Sequence, residues 1–362
     1  MAADGANEII ADLVTRHAID LLRVEAGQRK AIRRLLTELE GDLVAQLAKI
    51  DPTGVARQSA KAARLEKLLE QVKGTIRASY RGASTQLIGE LRELADIEAG
   101  FAARAINQGL GIELATATLT RAQAAALVGD ILVQGAPVAD WWSRQAGDTL
   151  ERFTDAMRLG MAQGDTSAQL IQRIRGGTRN GEPVMGFMDI SRRNADSLVR
   201  SATQAVSASA RDQTYTANAD ILKGVMWMAT LDSRTTLQCA TRDRLLYTVE
   251  GKEPIDHDLP WESGPGNLHW GCRSSSTPVT KSFRELGIDV DDLPPGKRAS
   301  IDGQVPQDTT FEAWLSKQGK ERQDDVLGAG RAELFRNGKI GLRDMLDQNG
   351  RELTLKELRA RI

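Results

Sequence analysis

The first 165 residues follow a helical pattern of apolar and polar positions. Between residues 9 and 22, apolar side chains recur every third or fourth position, as they do along one buried face of a helix. The pattern continues from residue 28 and stops at Asp51–Pro52, because proline disfavours a helical conformation in the residue before it. Further helical patterns cover 84–108, 120–134 and 137–164. This region is therefore predicted to form helical hairpins with little strand.

Four short motifs predict where helices begin. In a capping box, a Thr side chain accepts a hydrogen bond from the backbone N–H three residues later, and a Gln or Glu at that position bonds back to the Thr backbone. The chain has this spacing at Thr120, Thr166, Thr309 and Thr354. The last two predict short helices near the C-terminus.

The pattern changes after residue 166. The glycine-rich stretch 176–186 lacks the Lys-Ser/Thr of a phosphate-binding P-loop and does not follow a strand, so it is interpreted as a hinge loop. The segment 190–224 is rich in Ala and Ser and predicts a helix that packs closely on a neighbour. Alternation with a period of two predicts one strand within 225–236, running into a polar turn, and a second within 244–251.

These patterns divide the chain into three regions. Residues 1–165 are predicted to be helical, and residues 166–285 to form an α+β core whose strands and loops lie around 220–280. Residues 286–362 are predicted to be a linker, over 289–308, followed by a short helical appendage. The predicted fold class is mostly α with a small α+β core.

Composition and charge limit the classes of partner. The net charge of −1 means that any attraction to nucleic acid has to come from a local patch, and no apolar run is long enough to span a bilayer. Basic residues outnumber acidic ones within 57–81, where four of them fall on one side of a helix. These four are Arg57, Lys61, Arg64 and Lys67. Non-specific contact with DNA phosphates and an ordinary solvated helix surface both fit this pattern.

Residues with metal-binding or nucleophilic side chains are scarce, and several lie in one part of the chain. The sequence has three His and two Cys, and His269 lies three positions before Cys272. Zinc prefers four thiolate, imidazole or carboxylate ligands, so Cys239 could supply a third and Asp232 or His257 a fourth. The alternatives are a Cys239–His269 nucleophile pair and a packed loop with two buried free thiols.

Two stretches resemble the core of the phage Mu protein F-like family. They are WMATLDSRTTLQC at 227–239 and PGNLHWGCRS at 265–274. The family pattern is Asp-x-Arg-Thr-Cys-x-x-Cys, a variable segment, and His-Pro-x-Cys-Arg-Cys. The matching positions are Asp232, Arg234, Thr235, Cys239, His269, Cys272 and Arg273. Thr236 and Ser274 stand where the pattern has cysteine, so one cysteine of each pair is missing.

The resemblance implies a minor head protein of a tailed bacteriophage, without enzymatic activity. Such a protein would be part of the virion and would act in head morphogenesis at the portal vertex and in DNA packaging or ejection. Its expected partners are the portal protein and the major capsid or scaffold protein. It would occupy the host cytoplasm during assembly and then the head interior or portal vertex. Residues 1–165 are assigned to portal or capsid docking by position alone.

A rival hypothesis is a zinc-dependent hydrolase or nuclease. Its metal would be held by Asp232, Cys239, His269 and Cys272. Such an enzyme also needs a general base that is not a metal ligand, and His257 is the candidate for that role.

The favoured expectation is a structural cluster. Cys239, His269 and Cys272 are expected to lie together in the folded core without a metal or other cofactor. The reason is that Thr236 and Ser274 remove two of the thiolates that a complete site would have.

Overall fold

The computed structural model describes residues 4–49, 58–179, 181–287, 297–306 and 308–362. The structure is 62% helical, which confirms the predicted fold class. Within these ranges the helices are α1 Asp4–Ala48, α2 Gln58–Leu110, α3 Arg121–Asp130, α4 Val138–Gln163, α5 Ser167–Arg175, α6 Phe187–Ala217, α7 Leu237–Ala240, α8 Phe311–Ser316, α9 Lys320–Leu327, α10 Ala329–Arg336 and α11 Leu355–Arg359. The strands are β1 Gly176–Arg179, β2 Glu182–Met185, β3 Leu222–Met228, β4 Leu246–Tyr247, β5 Pro254–Ile255, β6 Ser275–Thr280, β7 Lys297–Ser300 and β8 Gly303–Pro306.

The second helix joins two helices that the sequence predicted separately. Helices were predicted at 57–81 and 84–108, whereas α2 runs unbroken from Gln58 to Leu110. Apolar residues at a spacing of four, Leu68, Val72, Ile76 and Tyr80, are all buried. They continue the buried face of the 84–108 part towards the N-terminal end, so the helix packs without a break between the two predicted parts.

Three of the four predicted capping boxes form. Thr120, Thr166 and Thr354 each accept a hydrogen bond from the backbone three residues later, and the Gln or Glu there bonds back. The prediction at Thr309 is wrong by one residue, because Thr310 caps α8 and accepts from the backbone N–H of Ala313 at 3.1 Å. Only Thr309 has a Glu three residues later, so the capping-box spacing favoured the wrong threonine; the Glu312 carboxylate instead accepts from the backbone N–H of Leu342 at 3.3 Å.

The chain forms two compact units built from non-contiguous segments. Unit 1 contains Met1–Leu22, Glu93–Leu127 and Gln204–Ile362, and unit 2 contains Arg23–Arg92 and Val128–Thr203. Helices α1, α2 and α6 each contribute residues to both units. The boundaries predicted near 165 and 285 stay a prediction.

Unit 2 consists mainly of helices, and polar contacts between them fix how the helices are aligned along their axes. Arg33 pairs with Asp196, and Arg192 with Glu40, so α1 and α6 are joined at two levels. Inside the unit, the buried hydroxyls of Tyr80, Thr149 and Ser191 form a hydrogen-bonded chain with O···O distances of 2.7 and 2.9 Å. Because each buried hydroxyl needs its partner, a shift along the helix axis would be costly.

The glycine-rich stretch 176–186 in unit 2 is a hairpin and not the predicted hinge loop. Strands β1 and β2 pair antiparallel, with Gly176 opposite Met185 and Arg179 opposite Glu182. The sequence Asn-Gly at 180–181 is one that favours hairpin pairing of the flanking segments, and this signal outweighs the glycine content.

Unit 1 contains a four-stranded antiparallel sheet in the order β5-β4-β3-β6. The two strands predicted within 225–236 and 244–251 are present as β3 and β4. The Ala- and Ser-rich helix is present as α6, and its small residues Ala195, Ala202 and Ala205 are buried, which fits the predicted close packing. None of the described helices is both long enough and apolar enough to cross a membrane.

The C-terminal helices of unit 1 share a hydrophobic core with the sheet region. Phe311, Trp314 and Leu315 of α8 are buried in the same cluster as Leu237 and Leu259. The predicted helical appendage is thus packed on the α+β core. The segment 289–308, which was predicted to be a linker, contains the β7–β8 hairpin. Residues 289–296 and 307 of this segment lie outside the described residues.

Candidate functional site

Pairing of β3 with β6 brings the two halves of the sequence motif together. The strands are antiparallel, and Met228 at the end of β3 lies opposite Ser275 at the start of β6. The segment leaving β3 and the segment entering β6 therefore meet at the same end of the sheet. This is why Cys239 and His269, 30 residues apart in sequence, come into contact.

The first half of the motif ends in a single helical turn. Thr236 is the N-cap of α7, and its hydroxyl accepts from the backbone N–H of Cys239. This turn buries the Cys239 side chain among Trp227, Tyr247 and Cys272.

The second half of the motif is a β-turn. The backbone N–H of Cys272 donates to the carbonyl of His269 at 3.0 Å. Gly271, the third residue of this turn, has a φ of 67°, a conformation that disfavours residues with a Cβ. The turn holds the imidazole of His269 and the thiol of Cys272 on the same side as Cys239.

Three metal-binding side chains converge there, as predicted. The Sγ atoms of Cys239 and Cys272 are 3.6 Å apart, and Cys239 Sγ lies 3.3 Å from His269 Nε2. Both cysteines are buried and free, with no disulfide between them. Among the described residues these three form the group whose ligand atoms all lie within 4.8 Å of one another. We call them the Cys–His–Cys cluster.

Two hydroxyls stand beside this cluster at the positions where the family pattern has cysteine. Thr236 Oγ1 lies 3.0 Å from His269 Nε2, and the Ser274 hydroxyl hydrogen-bonds the Cys239 thiol. The backbone N–H of Ser274 also donates to the Cys272 sulfur. Oxygen atoms therefore occupy the places where further thiolates would be expected.

The two thiols differ in pKa. The hydrogen bond from Cys239, together with the interaction with His269 and the hydrogen bond from Ser274, holds the pKa of Cys272 well below its usual value despite burial. The same bond to Cys272, together with burial, raises the pKa of Cys239. Cys272 is thus the sulfur that carries negative charge first.

An Asp–Arg pair supports the cluster from the next position along the chain. Arg273 donates two hydrogen bonds to the Asp232 carboxylate, at 2.6 and 2.8 Å. The carboxylate also accepts from the backbone N–H of Arg234 and the hydroxyl of Thr235. Burial would raise the pKa of Asp232, but the Arg273 hydrogen bonds and charge lower it overall. We call this arrangement the Asp232–Arg273 clamp.

The remaining predicted site residues lie elsewhere or outside the description. Asp232 belongs to the clamp and is not one of the converging metal-ligand atoms among the described residues. His257 Nε2 donates to the Leu246 carbonyl at 2.9 Å, and its Nδ1 accepts from the Leu259 N–H at 3.2 Å. Both of its ring nitrogens are therefore engaged with the backbone.

The basic segment is described only in part. Arg57 lies outside the described residues. Lys61 and Arg64 are on α2, and Lys67 is exposed there. The DNA-contact hypothesis stays a prediction.

Sequence reasoning missed Asp243, which joins the core to helix α8, and its buried neighbour Arg242. Asp243 is buried and accepts from the N–H groups of Ala229 and Phe311, both at 2.8 Å. Arg242 is buried over the Trp227 ring and donates to the Gln238 carbonyl. Their only sequence signal is a charged pair immediately before a strand, which is common on protein surfaces.

The fold and the site define a class: a mostly helical protein whose small antiparallel sheet ends in a buried Cys–His–Cys cluster and an Asp–Arg clamp. A family model described as "Phage Mu protein F like protein" matches residues 151–277. The match contains α6, β3 and both halves of the motif. Residues 151–277 therefore form a phage Mu protein F-like domain, in agreement with the resemblance of the sequence motif. Comparison with curated proteins and with solved structures gave no significant match.

Proposed function

We propose that this chain is a minor head protein that acts structurally at the portal vertex of a tailed phage, in head assembly and in DNA packaging or ejection. The observation that carries the proposal is the family match over 151–277, which includes the whole motif from Asp232 to Arg273. The proposed partners are the portal protein and the major capsid or scaffold protein, and the proposed location is the head interior or portal vertex.

The chemistry of the site supports a structural role. The hydrolase hypothesis requires a general base near the cluster that is free to take a proton. His257 was the candidate, but both of its ring nitrogens hydrogen-bond backbone atoms, so a proton transfer there would break a structural contact. The Asp232 carboxylate is likewise occupied by Arg273. These contacts favour a site that fixes the loops.

Long helices in the N-terminal half suit a docking role. Helix α1 has 45 residues and α2 has 53, so each spans well over 60 Å at about 1.5 Å per residue. Helices of this length can offer extended surfaces to a large assembly. The assignment of docking to residues 1–165 remains part of the proposal.

Cross-linking within assembled heads tests the portal assignment. Heads would be treated with a lysine-reactive cross-linker and analysed by mass spectrometry. We expect cross-links from exposed lysines of α2, such as Lys67, to the portal protein. Cross-links only to the major capsid protein, at positions spread over the shell, would contradict a portal location.

A further inference from the structure

We propose that Cys239, His269 and Cys272 bind one Zn²⁺ ion. An oxygen atom would complete the tetrahedron, from a water or from the hydroxyl of Thr236 or Ser274. Sequence reasoning favoured free thiols because two cysteines of the family pattern are absent. The inference does not depend on the proposed function, since it concerns the chemistry of three side chains and their surroundings.

The separations between the candidate ligand atoms fit a tetrahedral ion. With Zn–S near 2.3 Å and Zn–N near 2.05 Å, tetrahedral geometry puts two sulfurs about 3.8 Å apart and a sulfur and a nitrogen about 3.5 Å apart. The corresponding distances are 3.6 Å between the two Sγ atoms and 3.3 Å between Cys239 Sγ and His269 Nε2. All three candidate ligand atoms lie within 4.8 Å of one another, so a zinc ion would need only small shifts of these side chains. A disulfide would need the sulfurs to approach to about 2.05 Å.

The imidazole of His269 is oriented as a ligand. Its Nδ1 lies 3.0 Å from the carbonyl oxygen of Trp270. A carbonyl can only accept, so Nδ1 carries the proton and Nε2 presents its lone pair to Cys239. Metal-binding histidines are commonly held by such a hydrogen bond from the other ring nitrogen.

Charge balance explains how the ion could be held in an apolar environment. The cluster packs against Trp227, Tyr247 and the partly buried Trp261 and Leu268. A single thiolate there would be an unpaired buried charge, which is costly. Two thiolates and one Zn²⁺ have no net charge, so the complete site could be buried at much lower cost.

The atoms around the cluster suit two thiolates and a fourth ligand. The Ser274 N–H donates to the Cys272 sulfur, an interaction that stabilises a thiolate. The hydroxyls of Thr236 and Ser274 each contact a member of the cluster. Either one could bind the ion or hold a water that does. The missing family cysteines are thus replaced by oxygen atoms, and three strong ligands remain.

Zinc content and cobalt spectra test this site in the full chain. The protein would be purified in reducing buffer without an affinity tag that binds metal, and its zinc measured by plasma mass spectrometry. We expect about one equivalent in the wild type and less than about a tenth in Cys272→Ser. Glu93→Gln, at an exposed position of α2 far along the chain from the cluster, should keep its zinc. Cobalt added to the metal-free wild type should give tetrahedral and thiolate-to-metal absorption bands.

If Cys272→Ser does not fold, a variant that adds a ligand still tests the zinc site. Ser274→Cys restores a thiolate at the family position, so the thiolate-to-cobalt band should grow and zinc should resist a chelator at higher concentration. Chelation of the wild type should lower its melting temperature, and added zinc should restore it. Equal zinc in wild type and Cys272→Ser, or no cobalt–thiolate band in reduced wild type, would overturn the proposal. A disulfide between Cys239 and Cys272 in wild-type protein that contains no zinc, detected by mass spectrometry of the denatured, unreduced chain, would do so too.

Discussion

Asp232 and Arg273 show at the residue scale how a loop geometry is fixed. The bidentate pair is largely buried and holds together segments 41 residues apart. Removing one partner leaves the other charge poorly compensated. The pair could be anticipated from the sequence as part of the family motif. The sequence could not predict that Asp232 lies apart from the Cys–His–Cys cluster, because the spacing of residues does not determine to which side of a loop each side chain points.

Asp232→Asn tests the clamp through its pH dependence. The native pKa of Asp232 is below the ordinary value of 3.8, so the carboxylate stabilises the fold above that value and loses this effect as the pH falls through the native pKa. At pH 7 we expect the variant to lose about 1.5–3 kcal/mol of unfolding free energy, as for hydrogen bonds to charged groups. Denaturant unfolding between pH 7 and 3 should show the gap closing only below about pH 4. A gap that stays constant to pH 3 would mean that the carboxylate charge is not what stabilises the loop.

At the element scale, one buried carboxylate joins three helices within unit 1. Glu98 of α2 bonds to Arg211 of α6 and to His17 of α1, and His17 stacks on Phe101 with the ring centroids 3.7 Å apart. Burial opposes ionisation of Glu98, but Arg211 and His17 lower its pKa overall. The contact therefore depends on a charged carboxylate.

Glu98→Gln should destabilise the protein strongly. It leaves Arg211 buried without its counter-ion, which typically costs about 3–5 kcal/mol. Thermal and denaturant unfolding would measure the loss. Glu93→Gln is the matched control, since Glu93 is exposed on the same helix and should change stability by less than about 0.5 kcal/mol. Similar losses of stability in the two variants would mean that the loss does not come from the buried Glu98–Arg211 pair.

The four basic residues at 57–67 are the candidate contact with DNA. If Arg57, Lys61, Arg64 and Lys67 contact DNA phosphates, binding should weaken steeply with salt as counterions are released. Changing all four to Gln should flatten the slope of log affinity against log salt. Arg34→Gln with Arg121→Gln removes two other exposed charges and should leave the slope nearly unchanged. An unaltered slope in the fourfold variant would identify the segment as a solvated surface.

The sequence predicted individual helices and strands more reliably than it predicted how they pack together. Helical periodicity and capping boxes located most helices because these signals act within a few residues. Local signals did not predict that the helices at 57–81 and 84–108 are one continuous α2, or that 176–186 is a hairpin. The shared core of Trp314 with Leu237 could not be predicted, because pairing between distant apolar faces leaves no pattern in the sequence.

On the scale of the whole molecule, the C-terminal helices are expected to be necessary for a stable unit 1. Trp314 is 2% exposed within the cluster that also contains residues of the sheet region. Trp314→Ala should cost about 3–5 kcal/mol, measured by denaturant unfolding. Ile362→Ala removes a side chain that is 55% exposed and should have little effect. A small loss for Trp314→Ala would mean that the C-terminal region folds apart from the core.

Quantitative mass spectrometry of purified particles tests whether this protein is a component of the phage head. Phage particles would be purified on a density gradient, and the protein quantified against the major capsid and portal proteins. We expect it to cosediment with heads, at a copy number close to that of the portal protein and far below that of the major capsid protein. Its absence from purified particles, with abundant protein left in the lysate, would contradict a structural role in the virion.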